Sequence, residues 1–356
     1  MNRHTRQICF RIGSALLGGV GLVFLLHWYS IWNRGYVGGG FIRNYIPAPL
    51  STSSSVNLEF NSFYIAGLTK DSIYLGNHTA PLTVKVLDWK LADGSVKRLR
   101  LRPPDSLYRG SVRLHVEPSS SYYVLNGRTG RIYFRSPMDS IADELFRERL
   151  YFKNAIPIDA RSFILKSESS QTHRDILIKQ TNRTMSVDTT ILERQIDGVF
   201  CTDGMLHYSP VLRRVVYVYY YRNQYILADT NLARVNRFRT IDTTSRARIK
   251  VSIIDSDGST TLGVPPVVVN RRSCVFGVWL FIQSGLVGDN EDPNDLSRYA
   301  LMDVYNLATH QYKFSFYLPF AGRNQLTSFA VFENRIAAVY GQHLFAYEMR
   351  PDAFWD

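Results

Sequence analysis

The stretch Tyr299–Leu318, YALMDVYNLATHQYKFSFYL, decides the fold class of this chain. In its first half, one face of an extended backbone carries Leu301, Asp303 and Tyr305. In its second half, one face carries Tyr312, Phe314, Phe316 and Leu318. Alternation with a period of two residues, rich in aromatic side chains and interrupted at Asn306, predicts two β-strands joined by a turn.

The same pattern of strand, turn and strand recurs from Val56 to the end of the chain. One recurring motif is an aliphatic residue followed by Asp, at Leu87-Asp88, Met138-Asp139, Ala228-Asp229 and Met302-Asp303. Another is an apolar run that ends near Tyr or Gly, such as IYLGN from Ile73 and YYVLNG from Tyr122. Equivalent points lie roughly 40 to 50 residues apart, which is the repeat length of four-stranded propeller blades. We therefore predict an all-β fold, a six-bladed β-propeller over residues 56–350.

The predicted strands fall into six groups, of which the last is one strand short. A spare strand, Val56–Phe60, precedes the first group. Because a closed ring of blades leaves no exposed sheet edge, we predict that Val56–Phe60 is the outer strand of the last blade. In the fifth group, Val267–Val269 and Cys274–Gln283 are predicted as the first two strands, and Asp139–Arg149 is the best candidate for a helix. A pair of β-sandwiches and a propeller of seven blades stay open as alternatives.

The start of the chain has a different composition. Residues 1–11 are basic, and residues 12–32, IGSALLGGVGLVFLLHWYSIW, contain no Asp, Glu, Lys or Arg. An apolar run of about 20 residues can cross a bilayer as a helix, and positive charge before it favours a cytoplasmic amino end. We predict an uncleaved transmembrane signal anchor at residues 12–32, with a cleaved signal peptide as the alternative. Residues 33–55 predict a flexible tether, and residues 351–356 predict a short tail. A signal anchor and a cleaved signal peptide would both export the chain that follows about residue 33.

The chain is strongly basic, with a formal net charge of +12. The charge is dispersed, and Arg213-Arg214 and Arg271-Arg272 are among its densest spots. Such a distribution is typical of a solvated surface, and contact with an anionic lipid or polyanion is the alternative. No helix-turn-helix, zinc-finger or RNP-like pattern accompanies the charge, so we expect no nucleic-acid partner.

Two cysteines lie in the predicted propeller, Cys201 and Cys274. No CxxC or Cys/His spacing suggests a zinc or redox site. Two buried thiols are one interpretation, and a disulfide between Cys201 and Cys274 is the other if the domain lies outside the cytosol.

The sharpest local feature is an acidic loop in the fifth group. It contains the candidate binding residues Asp289, Asn290, Glu291, Asp292 and Asp295. Oxygen-rich loops suit Ca²⁺, which takes six to eight oxygen ligands, and they also suit docking against a basic partner. A solvated connection is the third interpretation. The run 255–259, DSDGS, begins like a calcium loop but lacks the terminal Glu, so a turn between two strands explains it more simply.

Motifs of common enzyme classes are missing from the sequence. It contains no GxSxG, HExxH, Walker loop or GxGxxG, and its histidines show no ligand spacing. No catalytic residue can therefore be named from the sequence.

The layout as a whole resembles the exported six-bladed propeller proteins of Bacteroidota-type bacteria. The resemblance covers about residues 56–350 and is carried by loose repeats such as DSIYLGN from Asp71 and RYALMDVYNLATHQYKFSFYLP from Arg298. It implies a propeller and a location in the cell envelope. With the predicted anchor, we expect a single pass through the inner membrane and a C-terminal domain in the periplasm. It supplies no catalytic residues.

Two functions follow as hypotheses. In the first, a membrane-tethered, extracytoplasmic propeller is a binding or scaffold module for another component of the envelope. In the second, the chain is a metal-dependent hydrolase or lactonase with its site in the central channel. Carboxylates that converge on the channel would favour the enzyme, and a channel lined by apolar and basic side chains would argue against it.

Overall fold

The computed structural model describes residues 3–32, 39–47, 49–92, 94–107, 110–197, 199–253, 260–319 and 325–350. Their order along the chain is one α-helix, α1 (Arg3–Trp32), followed by strands and one short 3₁₀ helix, Pro293–Ser297. The strands form six sheets of four or more strands and one separate hairpin within these residues. Each large sheet is one blade of a propeller, so the predicted fold class is confirmed.

Each blade contains an antiparallel sheet of four strands, and in blade 2 a fifth strand, β6 (Arg100–Arg102), pairs parallel with β10 (Ile141–Glu144). Strand β1 is Leu50–Asn57. Blade 1 contains β2 (Phe63–Leu68), β3 (Ser72–Asn77), β4 (Thr83–Asp88) and β5 (Gly94–Arg98). Blade 2 contains β6 (Arg100–Arg102), β7 (Val112–Val116), β8 (Tyr122–Asn126), β9 (Arg131–Arg135) and β10 (Ile141–Glu144). Blade 3 contains β11 (Asn154–Asp159), β12 (Ser162–Glu168), β13 (Asp175–Thr181) and β14 (Met185–Asp188).

The second half of the ring repeats this plan. Blade 4 contains β15 (Gly204–Ser209), β16 (Arg214–Tyr219), β17 (Gln224–Asp229) and β18 (Val235–Arg239). The separate hairpin β19 (Val251–Ile253) and β20 (Thr260–Leu262) follows it. Blade 5 contains β21 (Asn270–Phe276), β22 (Trp279–Ser284), β23 (Tyr299–Asn306) and β24 (Gln311–Pro319). Blade 6 contains β25 (Leu326–Phe332), β26 (Arg335–Tyr340) and β27 (His343–Met349).

The hydrophobic core lies between the blades. Each pair of neighbouring blades shares one cluster of buried apolar side chains, including blades 6 and 1. The second strand of a blade is covered on both faces, so β8 is buried at every position and β16 at all but its first. Strands covered on both faces are continuously apolar, which explains why these runs stood out in the sequence. The six clusters close the ring.

An N-terminal strand completes the last blade. Strand β1 pairs antiparallel with β27, from Leu50 opposite Met349 to Asn57 opposite His343. The predicted closure is confirmed, but the strand lies earlier than Val56–Phe60. Its polar run STSSS shows no apolar alternation, because an outer strand needs only backbone hydrogen bonds on one side. Residues 50–55, assigned by composition to the tether, are therefore part of the propeller.

Three expectations about secondary structure were wrong. Val267–Val269, predicted as a strand, lies in the connection before β21. The helix candidate Asp139–Arg149 contains strand β10 instead, so pairing in the sheet overrides local helix propensity. The run Cys274–Gln283 is a tight hairpin rather than one strand, with Phe276 opposite Trp279 and Gly277 at a φ of 58°. Both arms are apolar, so the two-residue turn was hidden in the sequence.

The anchor predicted at residues 12–32 lies within α1. Considering only the described residues, no helix has both the length and the apolar character required to cross a membrane. The prediction is not supported by this finding. The calcium-like run 255–259 and the tail 351–356 lie outside the described residues.

Candidate binding site at the mouth of the channel

The first strands of the six blades, β2, β7, β11, β15, β21 and β25, surround a central channel. Neighbouring first strands contact each other through polar groups: His207 Nε2 lies 2.7 Å from Ser273 Oγ, and the Ile65 amide donates to Ser328 Oγ at 3.2 Å. Burial lowers the pKa of His207 and of His115 to about 4, so both imidazoles are neutral at pH 7. The channel wall is therefore polar but uncharged at these positions.

One face of the ring carries both the connections between blades and the loops between second and third strands. This follows from the antiparallel meander, in which every second turn lies on the same face. We call it the connection face. Sites of propellers lie on such loops, because the rigid strands position them.

The connection face contains a cavity of about 600 Å³ at the edge of the channel. The described residues that line it are Tyr220, Tyr221, Pro266, Val267, Val268, Arg271, Arg272, Gly285 and Gln325. They come from the β16–β17 loop, the connection between blades 4 and 5, strand β21, the end of β22 and the start of blade 6. Three blades thus contribute to one recess.

The walls of the cavity are joined by backbone hydrogen bonds. The amides of Val269 and Asn270 donate to Tyr220 O at 2.8 and 3.1 Å, and the Gly285 amide donates to Val269 O at 2.7 Å. The Asn270 side chain, 2% exposed, donates to Tyr219 O at 2.8 Å. Loops tied in this way hold their side chains in place before a ligand arrives, which reduces the entropy lost on binding.

A β-bulge places two consecutive arginines in this cavity. Asn270 pairs with Ser284 and Arg272 pairs with Gln283, so Arg271 is an extra residue in β21. In a regular strand, Arg271 and Arg272 would point to opposite faces. The bulge interrupts that alternation, and both arginines line the cavity.

The two arginines have different environments. Arg272 donates from Nε to Thr327 O at 2.8 Å and from Nη1 to Gln283 Oε1 at 3.1 Å, which fixes its guanidinium. Burial lowers the pKa of Arg272 below its ordinary value. The part of the chain that the structure describes provides no carboxylate at ion-pair distance from Arg271 or Arg272.

The tyrosines of the cavity are protonated at neutral pH. Burial, together with the charge of Asp203, raises the pKa of Tyr220 to about 12. The same two causes raise the pKa of Tyr221. Asp203 is itself paired with the buried Lys166, whose Nζ also lies 2.9 Å from Asp175. The cavity thus offers hydroxyl and guanidinium donors.

The acidic loop binds the N-terminal segment of the same chain. Asp289 Oδ1 accepts from the Gly40 amide at 3.1 Å, and Asn290 exchanges two hydrogen bonds with the Arg43 backbone. Glu291 forms an ion pair with Arg43 at 2.6 Å, and both side chains are 0% exposed. The three candidate residues thus bind groups of the same chain, and the basic group that Glu291 meets is internal.

The other two candidate residues have local roles. Asp292 caps the 3₁₀ helix Pro293–Ser297 by accepting from the Asn294 amide at 2.8 Å. Asp295 accepts from the Tyr317 hydroxyl at 3.3 Å. No group of three His, Cys, Asp or Glu side chains is placed to hold a metal ion in the described residues. Calcium at this loop therefore stays a prediction without an assigned set of ligands.

Arg43 is the centre of a buried cluster that sequence reasoning missed. Its guanidinium binds Asp303 at 2.7 and 3.1 Å as well as Glu291. Burial alone would lower the pKa of Arg43, but Asp303 and Glu291 raise it above its ordinary value, so the charge is retained. Tyr45 stacks on Tyr317 with ring centroids 4.6 Å apart. The aromatic and apolar residues of FIRNYI, residues 41–46, were a signal against a solvated tether.

The two cysteines of the propeller are free and lie in different clusters. Cys201 is buried and donates to Asp197 O at 2.7 Å, whereas Cys274 accepts from the Val331 amide at 3.4 Å between blades 5 and 6. Burial raises the pKa of Cys274 to about 11. The alternative of a Cys201–Cys274 disulfide is not realised.

The fold is similar to that of several solved propellers. A member of the DUF4221 family from Bacteroides vulgatus is 11% identical with a TM-score of 0.53, covering 87% of this chain and 99% of that one. Virginiamycin B lyase from Staphylococcus aureus is 9% identical with a TM-score of 0.50, covering 84% and 99%. A streptogramin B lyase is 8% identical with a TM-score of 0.50, covering 86% and 100%.

Identities this low show the fold alone. No family model matches the chain, and no curated protein matches it. The Bacteroides structure agrees with the fold that the sequence resemblance implied, and the exported Bacteroidota-type origin stays an expectation.

Proposed function

We propose that this chain is a membrane-tethered, extracytoplasmic propeller that binds another component of the cell envelope through the cavity on its connection face. The observation that carries the proposal is the cavity itself, in which Arg271, Arg272, Tyr220 and Tyr221 present donors from rigid backbone. Concave sites with a few fixed polar groups are the usual form of ligand sites.

The side chains of the channel favour binding over metal-dependent hydrolysis. His115 and His207 lie on first strands that surround the channel, and burial keeps both imidazoles neutral. A hydrolytic metal needs several carboxylate or imidazole ligands around one point. The described residues do not place three such groups together, so the hydrolase or lactonase remains the second hypothesis.

The membrane tether is proposed from the sequence. Residues 12–32 contain no charged side chain, and apolar side chains of α1 such as Leu17 and Phe24 are 77% and 69% exposed. Exposed apolar side chains along a helix are stable in lipid and unfavourable in water. An alkaline wash of membranes should leave the full chain in the pellet. Release of the full chain into the supernatant would refute the tether.

Site-specific photo-crosslinking tests the binding function. A photoreactive phenylalanine in place of Tyr221 should capture a discrete partner in intact cells. The same group in place of Arg161, an exposed residue of the β11–β12 turn on the opposite face, should capture none. Equal patterns from the two positions would remove the cavity from the proposed function.

A further inference from the structure

We propose that the cavity on the connection face binds an oxyanion group, a carboxylate or a phosphate, between Arg271 and Arg272. This inference rests on the proposed function, because it names the chemistry of what the binding module recognises. It is carried by the bulge in β21, by the donors around the arginines and by the lack of a carboxylate partner within the described part of the chain.

The bulge creates the site. In a regular strand without the bulge, one of the two arginines would point toward the channel and the other between the blades. Gly285 lies against Arg271: a Cβ on Gly285 would lie 2.0 Å from Val268 O and 3.2 Å from Arg271 Nε. The strand irregularity and the missing side chain together leave room for two guanidinium groups on one side of the recess.

The polar side chains that line the cavity are mainly hydrogen-bond donors. The lining contains two guanidiniums, two tyrosine hydroxyls and the Gln325 amide, and no carboxylate among the described residues. Asp203 acts on Tyr220 and Tyr221, but it is bonded to Lys166. Cationic donors without a described carboxylate partner match an external ligand that has oxygen acceptors and negative charge.

Two other buried cations of the propeller, Arg43 and Lys166, contrast with this pair. Arg43 is bound by two carboxylates, and Lys166 contacts Asp175 and Asp203. A desolvated cation is unfavourable unless it is paired. Arg272 is partly desolvated yet has only a carbonyl and an amide oxygen as acceptors. An oxyanion in the cavity would supply the missing charge.

Isothermal titration of the full chain in mild detergent tests the inference, with inorganic phosphate and glutarate as separate probes. Wild type should bind at least one of them, and R271Q should weaken that binding roughly tenfold or more through loss of a charge-assisted hydrogen bond. R161Q, which removes an equal charge from the opposite face, should bind like wild type. Binding of phosphate alone or of glutarate alone would identify the oxyanion.

Two results would overturn the inference. One is an absence of binding of both probes to the wild type at ~10 mM, which is about tenfold above a Kd of 1 mM. The other is equal binding by R271Q and R161Q. The test uses R271Q rather than R272Q, because the hydrogen bonds of Arg272 to Thr327 and Gln283 also support the fold. Capture of a partner at Tyr221 without oxyanion binding would retain the proposed function and reject only the ligand class.

Discussion

At the scale of single residues, the strongest interactions join groups that are distant in sequence. Arg43 lies 260 residues from Asp303 and 248 from Glu291. The sequence identified Glu291 as part of an unusual loop, but nothing local connects it to Arg43. Likewise, Arg271-Arg272 stood out as a dense charge, whereas the bulge that directs both arginines into one cavity depends on pairing with β22.

Replacing Arg43 should therefore strongly lower the free energy of unfolding. Arg43→Met would leave two buried carboxylates unpaired, and breaking a buried pair costs about 3–5 kcal/mol of unfolding free energy. Arg161→Met, on the surface, should change stability by less than about 0.5 kcal/mol. Chemical denaturation of the two variants measures the difference. Equal stability would show that the cluster contributes nothing.

The channel histidine His207 should make stability depend on pH. Its folded-state pKa of about 4 lies below the unfolded value of about 6.5, so the folded state binds fewer protons between these values. Stability is therefore fully present above pH 6.5 and is lost as the pH falls toward 4. His207→Gln should flatten this part of the stability profile. His173→Gln should not, because the His173 side chain is 80% exposed.

At the scale of elements, most strands could be predicted from the sequence, and the exceptions have physical causes. Second strands such as β8 and β16 are apolar on both faces, and the run YYVLNG from Tyr122 identified β8 to within one residue. The outer strand β1 has a polar sequence and was found only through its partner. Of the aliphatic-Asp steps, Asp88 and Asp229 accept amide hydrogen bonds in turns, whereas Asp303 binds Arg43 inside a strand.

Leu58 should hold β1 in place. It follows the strand directly, is 1% exposed and packs between blades 6 and 1. Leu58→Ala should cost about 2–5 kcal/mol, the usual range for a buried leucine. It should also speed proteolysis near residues 39–57. Leu107→Ala, at a partly exposed leucine, is the matched control, and equal cleavage rates would contradict the role of Leu58.

The hairpin of blade 5 should depend on backbone conformation at Gly277. Its φ is 58°, and a Cβ there would meet nothing within 4 Å, so any effect of a side chain comes from the backbone alone. Gly277→Ala should destabilise by about 1 kcal/mol, and Gly277→Asn by less, since Asn tolerates this conformation better. Thermal unfolding of both variants tests the order. The reverse order would reject the explanation.

At the scale of the whole molecule, the ring should unfold as one unit. Every blade shares buried apolar side chains with both neighbours, and blade 6 with blade 1. Unlike an open array, whose ends can fray, a closed ring has no terminal repeat. Trp89 lies near blade 1 and Trp279 lies in blade 5. The fluorescence of Trp89 in W279F and that of Trp279 in W89F should therefore give the same denaturation midpoint. Separate midpoints would show that blades unfold independently.

The pairing of β1 with β27 also sets an order for biosynthesis. Ser51 contacts the backbone of Glu348, 297 residues further along the chain. Since the ribosome makes the chain from its amino end, β1 emerges before every other described strand, and its partner β27 emerges after them. The ring can therefore close only after nearly the whole propeller has been synthesised, and until then β1 is available to chaperones or to the wrong strand edge.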